Sequence, residues 1–370
     1  MNSIDRSTDT TAAEVRIPLH AIRGRGTATR MAHRFERDSR ESFDDGWQLS
    51  DEEQAAIPRT EVIWETARSI IAHNDSPDIH FGSSLNPYRG CEHGCIYCYA
   101  RPTHSYLNLS PGLDFETKII AKRNTVDLLR SELGRRGYRP ELIAIGSATD
   151  CYQPIERELR LTRGVIEVLR EARHPFALVT KSSGVERDLD LIAPMAAEGL
   201  AAVYVTITTL DAELARKLEP RAAAPHRRLR VLRTLAEHGV RCGVSLAPQI
   251  PFINDDMEQV LEAAWEAGAR EAFYHVIRLP WEVAPLFRQW LETHYPQRAQ
   301  RVMARIQEMR GGKDYDSDFA TRMKGSGAWA DLLAQRFRKA ATRLGFNGKK
   351  QQFRTDLFRP PGPTGQAALF

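Results

Sequence analysis

Short apolar runs alternate with amphipathic stretches along residues 79–280. The apolar runs are nearly continuous, as expected for parallel strands that are buried on both faces. The stretches between them carry apolar residues at helical spacing and commonly end at a glycine. Strand–helix alternation of this kind predicts six right-handed βαβ units. The pattern therefore indicates an α/β fold built as a partial barrel or as an open, doubly wound sheet.

The predicted elements can be read directly from the sequence. The predicted strands are SSLNPYRG, ELIAIGSATD, FALVTKSS, AVYVTITTL, RCGVSLAPQI and EAFYHVIRLP. The predicted helices are ETKIIAKRNTVDLLRSELGRRG, RELRLTRGVIEVLREARH, VERDLDLIAPMAAEG, LRVLRTLAEHG and MEQVLEAAWEAGA. Polar residues follow most of the strands, and the carboxyl ends of parallel strands are where α/β folds place their sites.

The two ends of the chain do not follow this alternation. Residues 1–60 are rich in Arg, Ser, Thr and Asp, which predicts an extended or flexible arm. Within it RGRGTATRMAHRF favours a surface-wrapping segment over a phosphate-contacting one. Residues 61–285 form the predicted core barrel, residues 286–358 a helical region and residues 359–370 a tail. Trp281, Trp290 and Trp329 are predicted to lie in the core of the helical region.

Composition narrows the function classes without selecting one. The chain has 370 residues, 42% of them hydrophobic, and a net charge of +4, which permits an anionic partner without requiring one. No apolar stretch is long enough to span a membrane, and the N-terminus lacks the features of a signal peptide. We therefore expect a cytoplasmic protein with no membrane partner. Five cysteines are too few for a disulfide framework.

Three of the five cysteines lie in one short stretch, as Cys91, Cys95 and Cys98. The C-x3-C-x2-C spacing predicts a metal centre held from a single loop, because thiolates select zinc or iron–sulfur clusters. Zinc would need a fourth ligand, for which His93 is the candidate, but no second cysteine pair exists. A 4Fe–4S cluster fits better, since three thiolates leave one iron open for another molecule.

NPYRGCEHGCIYCYAR, followed by GSATDCYQPIE and LVTKSS, resembles the radical S-adenosylmethionine enzymes. Within them it is similar to the branch of spore photoproduct lyase and its bacterial "DNA-repair photolyase-like" relatives. The resemblance implies a partial (β/α)6 TIM-like barrel in which the three cysteines hold a 4Fe–4S cluster. It also implies that S-adenosylmethionine chelates the fourth iron and that Tyr97 packs near its adenine. An electron from a donor such as flavodoxin or ferredoxin would then release methionine and a 5′-deoxyadenosyl radical.

Other cofactor contacts can be suggested from the chemistry of the strand ends. The methionyl ammonium needs oxygen acceptors, which Ser147, Thr149 and Asp150 offer, and its carboxylate needs a cation such as Lys181 or Arg221. Thr206 or Thr208 are candidates for the ribose hydroxyls. Each of these residues could instead serve as a cap or lie on the surface.

Cys151 is a candidate hydrogen-atom donor in catalysis, because the lyase uses a cysteine near the same strand. It does not stand at the matching position, and a small loop residue is the simpler interpretation. Cys242 is predicted to be buried.

The substrate of the expected radical is unknown from the sequence, and the resemblance suggests nucleic acid. Arg101, His104, Tyr99 and Tyr106 follow the cysteines and could stack on a base, grip a phosphate or simply pack the loop. The alternative to a radical enzyme is a non-catalytic zinc or iron–sulfur protein that binds nucleic acid. Metal analysis would separate the two.

Overall fold

The computed structural model describes residues 25–27, 31, 33–35, 59–348 and 352–362. Most of the predicted arm, residues 1–60, and residues 363–370 of the predicted tail lie outside this range.

Ten strands and eleven α-helices are formed by the described residues. The strands are β1 (Glu61–Glu65), β2 (Ile71–His73), β3 (Ser83–Leu85), β4 (Tyr88–Arg89), β5 (Lys118–Lys122), β6 (Ile143–Ile145), β7 (Phe176–Thr180), β8 (Ala201–Thr206), β9 (Cys242–Gln249) and β10 (Glu271–Val276). The helices are α1 (Leu113–Thr117), α2 (Thr125–Leu133), α3 (Glu156–Leu159), α4 (Leu161–Glu171), α5 (Leu189–Ala197), α6 (Ala212–Leu218), α7 (Pro225–Glu237), α8 (Met257–Glu266), α9 (Val283–His294), α10 (Pro296–Glu308) and α11 (Ala328–Leu344). Two 3-10 helices occupy Arg101–Leu107 and Ser183–Asp188.

The main sheet has seven strands in the order β10-β9-β8-β7-β6-β3-β2. Its neighbours pair in parallel from β3 to β10, and only β2 is antiparallel to its neighbour. The six parallel strands are the six that the sequence predicts, so the α/β fold is confirmed. Among the described strands β10 and β2 are the edges, and the sheet is open. Its central strands are buried on both faces, since Ala202 and Val203, which alternate along β8, are 2% and 0% exposed.

A second sheet, with the order β1-β5-β4, lies beside the cysteine loop. Its central strand corrects the sequence prediction, which placed a helix from residue 116 to residue 137. Ile119, Ile120 and Ala121 are instead paired in parallel with β1, and the helix begins only at Thr125. A short apolar run fits either a strand or a buried helix by periodicity, and here the available strand partners decided the outcome.

The predicted helical region, residues 286–358, begins within α9 and contains α10 and α11. The first, α9, ends at His294, and α10 begins at Pro296, where a proline without an N–H is tolerated in the first turn. Trp290 is buried and stacked on Phe287, as predicted for a core residue. The last helix is joined to α8 by an ion pair between Arg336 and Glu258. Among the helices described, none combines the length and the apolar character needed to cross a membrane.

Candidate active site

The three clustered cysteines lie on a loop that leaves β4 and leads into the first 3-10 helix. Cys91 and Cys95 are buried and Cys98 is partly exposed, and all three are free thiols. The Cys91 N–H donates to the Phe115 carbonyl at 2.9 Å, and the Cys98 N–H donates to the Cys95 carbonyl at 3.2 Å. Gly94 adopts a φ of +66°, which favours glycine and turns the chain between the first two thiols. The loop is therefore held by its own backbone and by α1.

The strand end after β6 is tied to this loop by side-chain hydrogen bonds. The Thr149 hydroxyl donates to the Gly90 carbonyl at 2.5 Å, and the Glu92 N–H donates to Gln153 Oε1 at 2.9 Å. The Glu92 carboxylate in turn forms an ion pair with Arg221 at 3.2 Å. Two residues predicted to contact a cofactor, Thr149 and Arg221, thus also position the cysteine loop.

Asp150 joins three elements at the carboxyl edge of the sheet. Its carboxylate accepts hydrogen bonds from the Thr180 hydroxyl and from the N–H groups of Lys181 and Tyr152, at 2.7–2.9 Å. His93 Nδ1 lies 3.2 Å from the same carboxylate. Burial alone would raise the pKa of Asp150, but His93 and these hydrogen bonds hold it below its usual range. The carboxylate is therefore ionised and heavily engaged within the protein.

A buried network that the sequence analysis missed is built on Glu219. Its carboxylate accepts hydrogen bonds from the Tyr97 hydroxyl and from the Thr208 hydroxyl, and it pairs with the Arg228 guanidinium. Glu219 and Arg228 are at most 2% exposed. The only sequence signal for Glu219 is its place in LEPRAAAP, two residues before Arg221. The network fixes the orientation of the aromatic ring that lies between two of the cysteines.

The Lys181 ammonium lies beside this network, 5.8 Å from the centre of the Tyr97 ring. Burial would lower the pKa of Lys181, but the sulfur of Cys95 and the Glu219 carboxylate raise it, so the side chain is cationic. Burial raises the pKa of Cys95 to about 12, and Lys181 acts in the opposite direction. A metal-bound thiolate at Cys95 would thus have a cation close by.

Arg101 and His104 serve to pack the loop, which settles the alternatives left open by the sequence. Arg101 is fully buried, where its Nε donates to the Cys95 carbonyl at 2.9 Å and its guanidinium pairs with Glu116 at 2.7 Å. His104 is also fully buried, and its Nε2 lies 3.1 Å from the Lys118 carbonyl. Burial lowers the pKa of His104 to about 4, so the ring is neutral.

Ser147, Thr206 and Cys151 are the remaining residues predicted to contact a cofactor or a substrate. Ser147 is partly exposed and accepts a hydrogen bond from the Asn86 amide at 3.2 Å. Thr206 is buried at the end of β8. Cys151 is fully buried in the main hydrophobic core, and burial raises the pKa of its thiol well above the usual value. Contact of any of these residues with a cofactor or a substrate stays a prediction.

Three exposed aromatic rings surround Arg34, which belongs to the described part of the predicted N-terminal arm. The Arg34 guanidinium lies 4.4–5.1 Å from the ring centres of Phe35, Tyr106 and Trp281, which are 49%, 66% and 59% exposed. Trp281 was predicted to be core, but it follows β10 with a left-handed φ of 45°, before α9 begins, and its ring faces solvent.

A further exposed ring lies directly beside the thiols. Tyr99, the residue after Cys98, is 47% exposed, and the Arg278 guanidinium lies 4.2 Å from its ring centre. We refer to Phe35, Tyr99, Tyr106 and Trp281, with Arg34 and Arg278, as the aromatic rim. Each of these rings has a guanidinium within 5.1 Å of its centre, and each aromatic residue is at least 47% exposed.

The donor set that the cysteine loop offers consists of three free thiols. No three His, Cys, Asp or Glu side chains in the described ranges converge closely enough to hold one metal ion. The thiolates of a 4Fe–4S cluster bind different irons, so they need not converge on one point. The three free thiols on this loop, two of them buried, could offer one thiolate to each of three irons.

Comparison with known proteins agrees with this geometry. Residues 85–264 match the radical SAM superfamily. An uncharacterized protein of Mycobacterium tuberculosis is 36% identical over 244 residues, which cover 65% of this chain and 71% of that protein. An uncharacterized protein of Methanocaldococcus jannaschii is 28% identical over 213 residues, or 58% of this chain and 76% of the relative.

Solved structures of spore photoproduct lyase share the fold. One variant superposes with a TM-score of 0.52 at 15% identity, covering 81% of this chain and 84% of the lyase. A second variant, with bound AdoMet and dinucleoside spore photoproduct, gives a TM-score of 0.51 at 16% identity, covering 79% and 82%. At this level of identity the likeness concerns the fold alone.

Proposed function

We propose, from the premise that this chain belongs to the radical SAM superfamily, that its cysteine loop carries a 4Fe–4S cluster and binds S-adenosylmethionine. The chain is accordingly an enzyme. The observation that carries the proposal is the loop itself, with three free thiols and Tyr97 presented from the first parallel strand region. When bound, the cluster and S-adenosylmethionine supply one-electron cleavage of the sulfonium, giving methionine and a 5′-deoxyadenosyl radical that takes a hydrogen atom from the substrate.

The protein's own residues would bind and orient these groups. Cys91, Cys95 and Cys98 would be the iron ligands, and Lys181 would offer its ammonium to the methionyl carboxylate. Glu219 would hold Tyr97 in place as one wall of the cofactor site, which is supported by the buried hydrogen bond between them. Exclusion of water from two of the three thiols is supported by their 7% exposure.

The proposed substrate is a nucleic acid with an unstacked base. The aromatic rim supports this proposal, because aromatic rings and guanidinium planes stack on bases of any sequence. The weakly basic net charge of +4 is compatible with a polyanion. The electron donor is proposed to be a small redox protein such as flavodoxin or ferredoxin.

Anaerobic reconstitution with iron and sulfide tests the chemistry. We expect a brown protein with about four irons per chain, and dithionite-dependent formation of 5′-deoxyadenosine from S-adenosylmethionine. Cys95→Ala should abolish both, whereas Cys242→Ala, which removes a buried thiol from β9, should retain both. A colourless protein with one zinc, or a reduced cluster that leaves S-adenosylmethionine intact, contradicts the proposal.

Fluorescence anisotropy with a single-stranded oligonucleotide tests the substrate class separately. Replacement of Trp281 by Ala should weaken binding by about 5- to 150-fold, in line with about 1–3 kcal/mol for one stacked base. Trp64→Ala is the matched control, because that ring is also exposed, at 45%, but lies on β1. Equal affinities for the two variants, or no binding by the wild type, would argue against a nucleic-acid substrate.

A further inference from the structure

Part of the predicted N-terminal arm is packed against the cysteine loop. The described residues 25–27, 31 and 33–35, here called the strap, include four buried positions, which are Arg25, Gly26, Thr27 and His33. Both oxygens of one carboxylate bind this piece, since Glu116 accepts hydrogen bonds from the Gly26 N–H at 2.8 Å and from the Thr27 hydroxyl at 3.0 Å. The Arg25 guanidinium donates to the Glu116 carbonyl at 2.7 Å.

The strap and the cysteine loop touch backbone to backbone. A Cβ atom on Gly26 would lie 1.7 Å from the carbonyl oxygen of Gly94, the residue before Cys95. A Cβ on Gly94 would lie 3.1 Å from the Gly26 nitrogen and 2.8 Å from the Glu116 carboxylate. Only a glycine at position 26 permits this approach, so RGRGT has a steric requirement that composition alone does not reveal.

Glu116 connects the strap to a cysteine through buried polar groups. Its carboxylate pairs with the Arg101 guanidinium at 2.7 Å, and Arg101 Nε donates to the Cys95 carbonyl at 2.9 Å. Glu116 and Arg101 are both fully buried. A displaced strap would therefore leave a buried carboxylate short of two donors next to the loop, which is costly in a water-poor site.

The other described residues of the strap contact the chain that follows the first 3-10 helix, and a residue after β10. The Met31 N–H donates to the Ser110 hydroxyl at 3.0 Å, and His33 Nε2 lies 3.0 Å from the Asn108 amide oxygen. Arg34 pairs with Glu282 at 2.9 Å, after β10. The described residues of the strap therefore contact α1, the chain that follows the first 3-10 helix, and Glu282 after β10.

We propose that the strap is a positioning element for the cluster ligands, in which Gly26 and Glu116 hold the Gly94–Cys95 backbone in the conformation that retains iron. Its role in retaining the cluster rests on the function proposed above. Its contact with the cysteine loop does not depend on that function. The strap would also slow the access of chelators and oxidants to the loop from this side.

The first test uses the apoprotein and needs no cluster. Alkylation of each cysteine by iodoacetamide is followed by mass spectrometry in Gly26→Ala and in Gly362→Ala, whose new methyl group would meet open space. We expect Gly26→Ala to raise the alkylation rate of Cys95 by about tenfold, as overpacking of this size displaces a segment. The rate at Cys242, in β9, should be unchanged.

The second test uses the reconstituted holoprotein. Iron content and the rate at which a ferrous chelator bleaches the visible absorbance are compared in the wild type, Gly26→Ala, Thr27→Val and Gly362→Ala. We expect bleaching to be about tenfold faster in Gly26→Ala and about threefold faster in Thr27→Val, which loses one hydrogen bond to Glu116. Far-UV circular dichroism identifies a variant that fails to fold, in which case Thr27→Val decides.

The outcomes separate the two proposals. If alkylation and bleaching in the strap variants equal those of Gly362→Ala, the strap proposal is overturned even though the wild type carries a cluster. If the wild type takes up no cluster, the proposed function fails, and the alkylation rates still decide whether the strap holds the thiol loop.

Discussion

Replacement of Glu219 by glutamine should strongly destabilise the protein, although the two side chains have almost the same size and shape. Glutamine can still accept hydrogen bonds from Tyr97 and Thr208, but it removes the counter-charge of Arg228, which is 1% exposed. Loss of one partner from a buried ion pair costs about 3–5 kcal/mol. Because the hydrogen bonds to the neutral partners survive, we expect the lower end, about 3 kcal/mol.

The assay is urea unfolding of the apoprotein at pH 7, where the Glu219 carboxylate, whose pKa is lowered by Arg228 and Lys181 against the effect of burial, is fully ionised. With a slope of about 3 kcal/mol per molar urea, the midpoint should fall by about 1 M. Glu213→Gln is the control, because its carboxylate is 80% exposed and its ion pair with Lys217 contributes at most about 0.5 kcal/mol.

A double-mutant cycle separates the charge pair from its surroundings. Arg228→Met alone should also destabilise the protein, since it leaves the Glu219 carboxylate buried without a cation at that position. The double variant should be about 2 kcal/mol more stable than the sum of the single effects predicts, because neither charge is then left alone. Equal midpoints for Glu219→Gln and Glu213→Gln, or strict additivity, would refute the reasoning.

Three other variants test the site. Burial holds the pKa of folded His104 at about 4, whereas its ordinary value is 6.5. Between these two pH values only the unfolded chain binds the proton, so the free energy of unfolding should fall by about 1.4 kcal/mol for each pH unit of acidification. The urea midpoint of His104→Gln should therefore fall less steeply from pH 6.5 to 5 than that of the wild type. Cys151→Ala should keep the iron content and S-adenosylmethionine cleavage of the wild type, because the thiol is sealed in the core; loss of cleavage with iron retained would instead support a catalytic role. Lys181→Met should load iron normally but weaken S-adenosylmethionine binding by about tenfold in equilibrium dialysis, as removal of a charged hydrogen-bond donor does; unchanged affinity would remove Lys181 from the cofactor site.

The parallel core and the thiol loop were predictable because each depends on short-range patterns. Continuous apolar runs and a cysteine triplet at C-x3-C-x2-C are visible within windows of about ten residues, and the helices between strands have their own period. The strand at Lys118–Lys122 was not predictable in this way, since the apolar run there fits a helix equally well. Its outcome depends on a partner strand more than fifty residues earlier in the chain, β1.

The sequence by itself determined the six-strand order of elements and the identity of the three thiols. Only the tertiary structure decided which groups from distant parts of the chain contact the loop that carries these thiols. Glu219 lies far in sequence from Tyr97, and Gly26 is far from Gly94, yet each pair is in contact. Such pairings follow from long-range packing: a buried charge must find its partner wherever the chain brings one, and no local spacing records where that is.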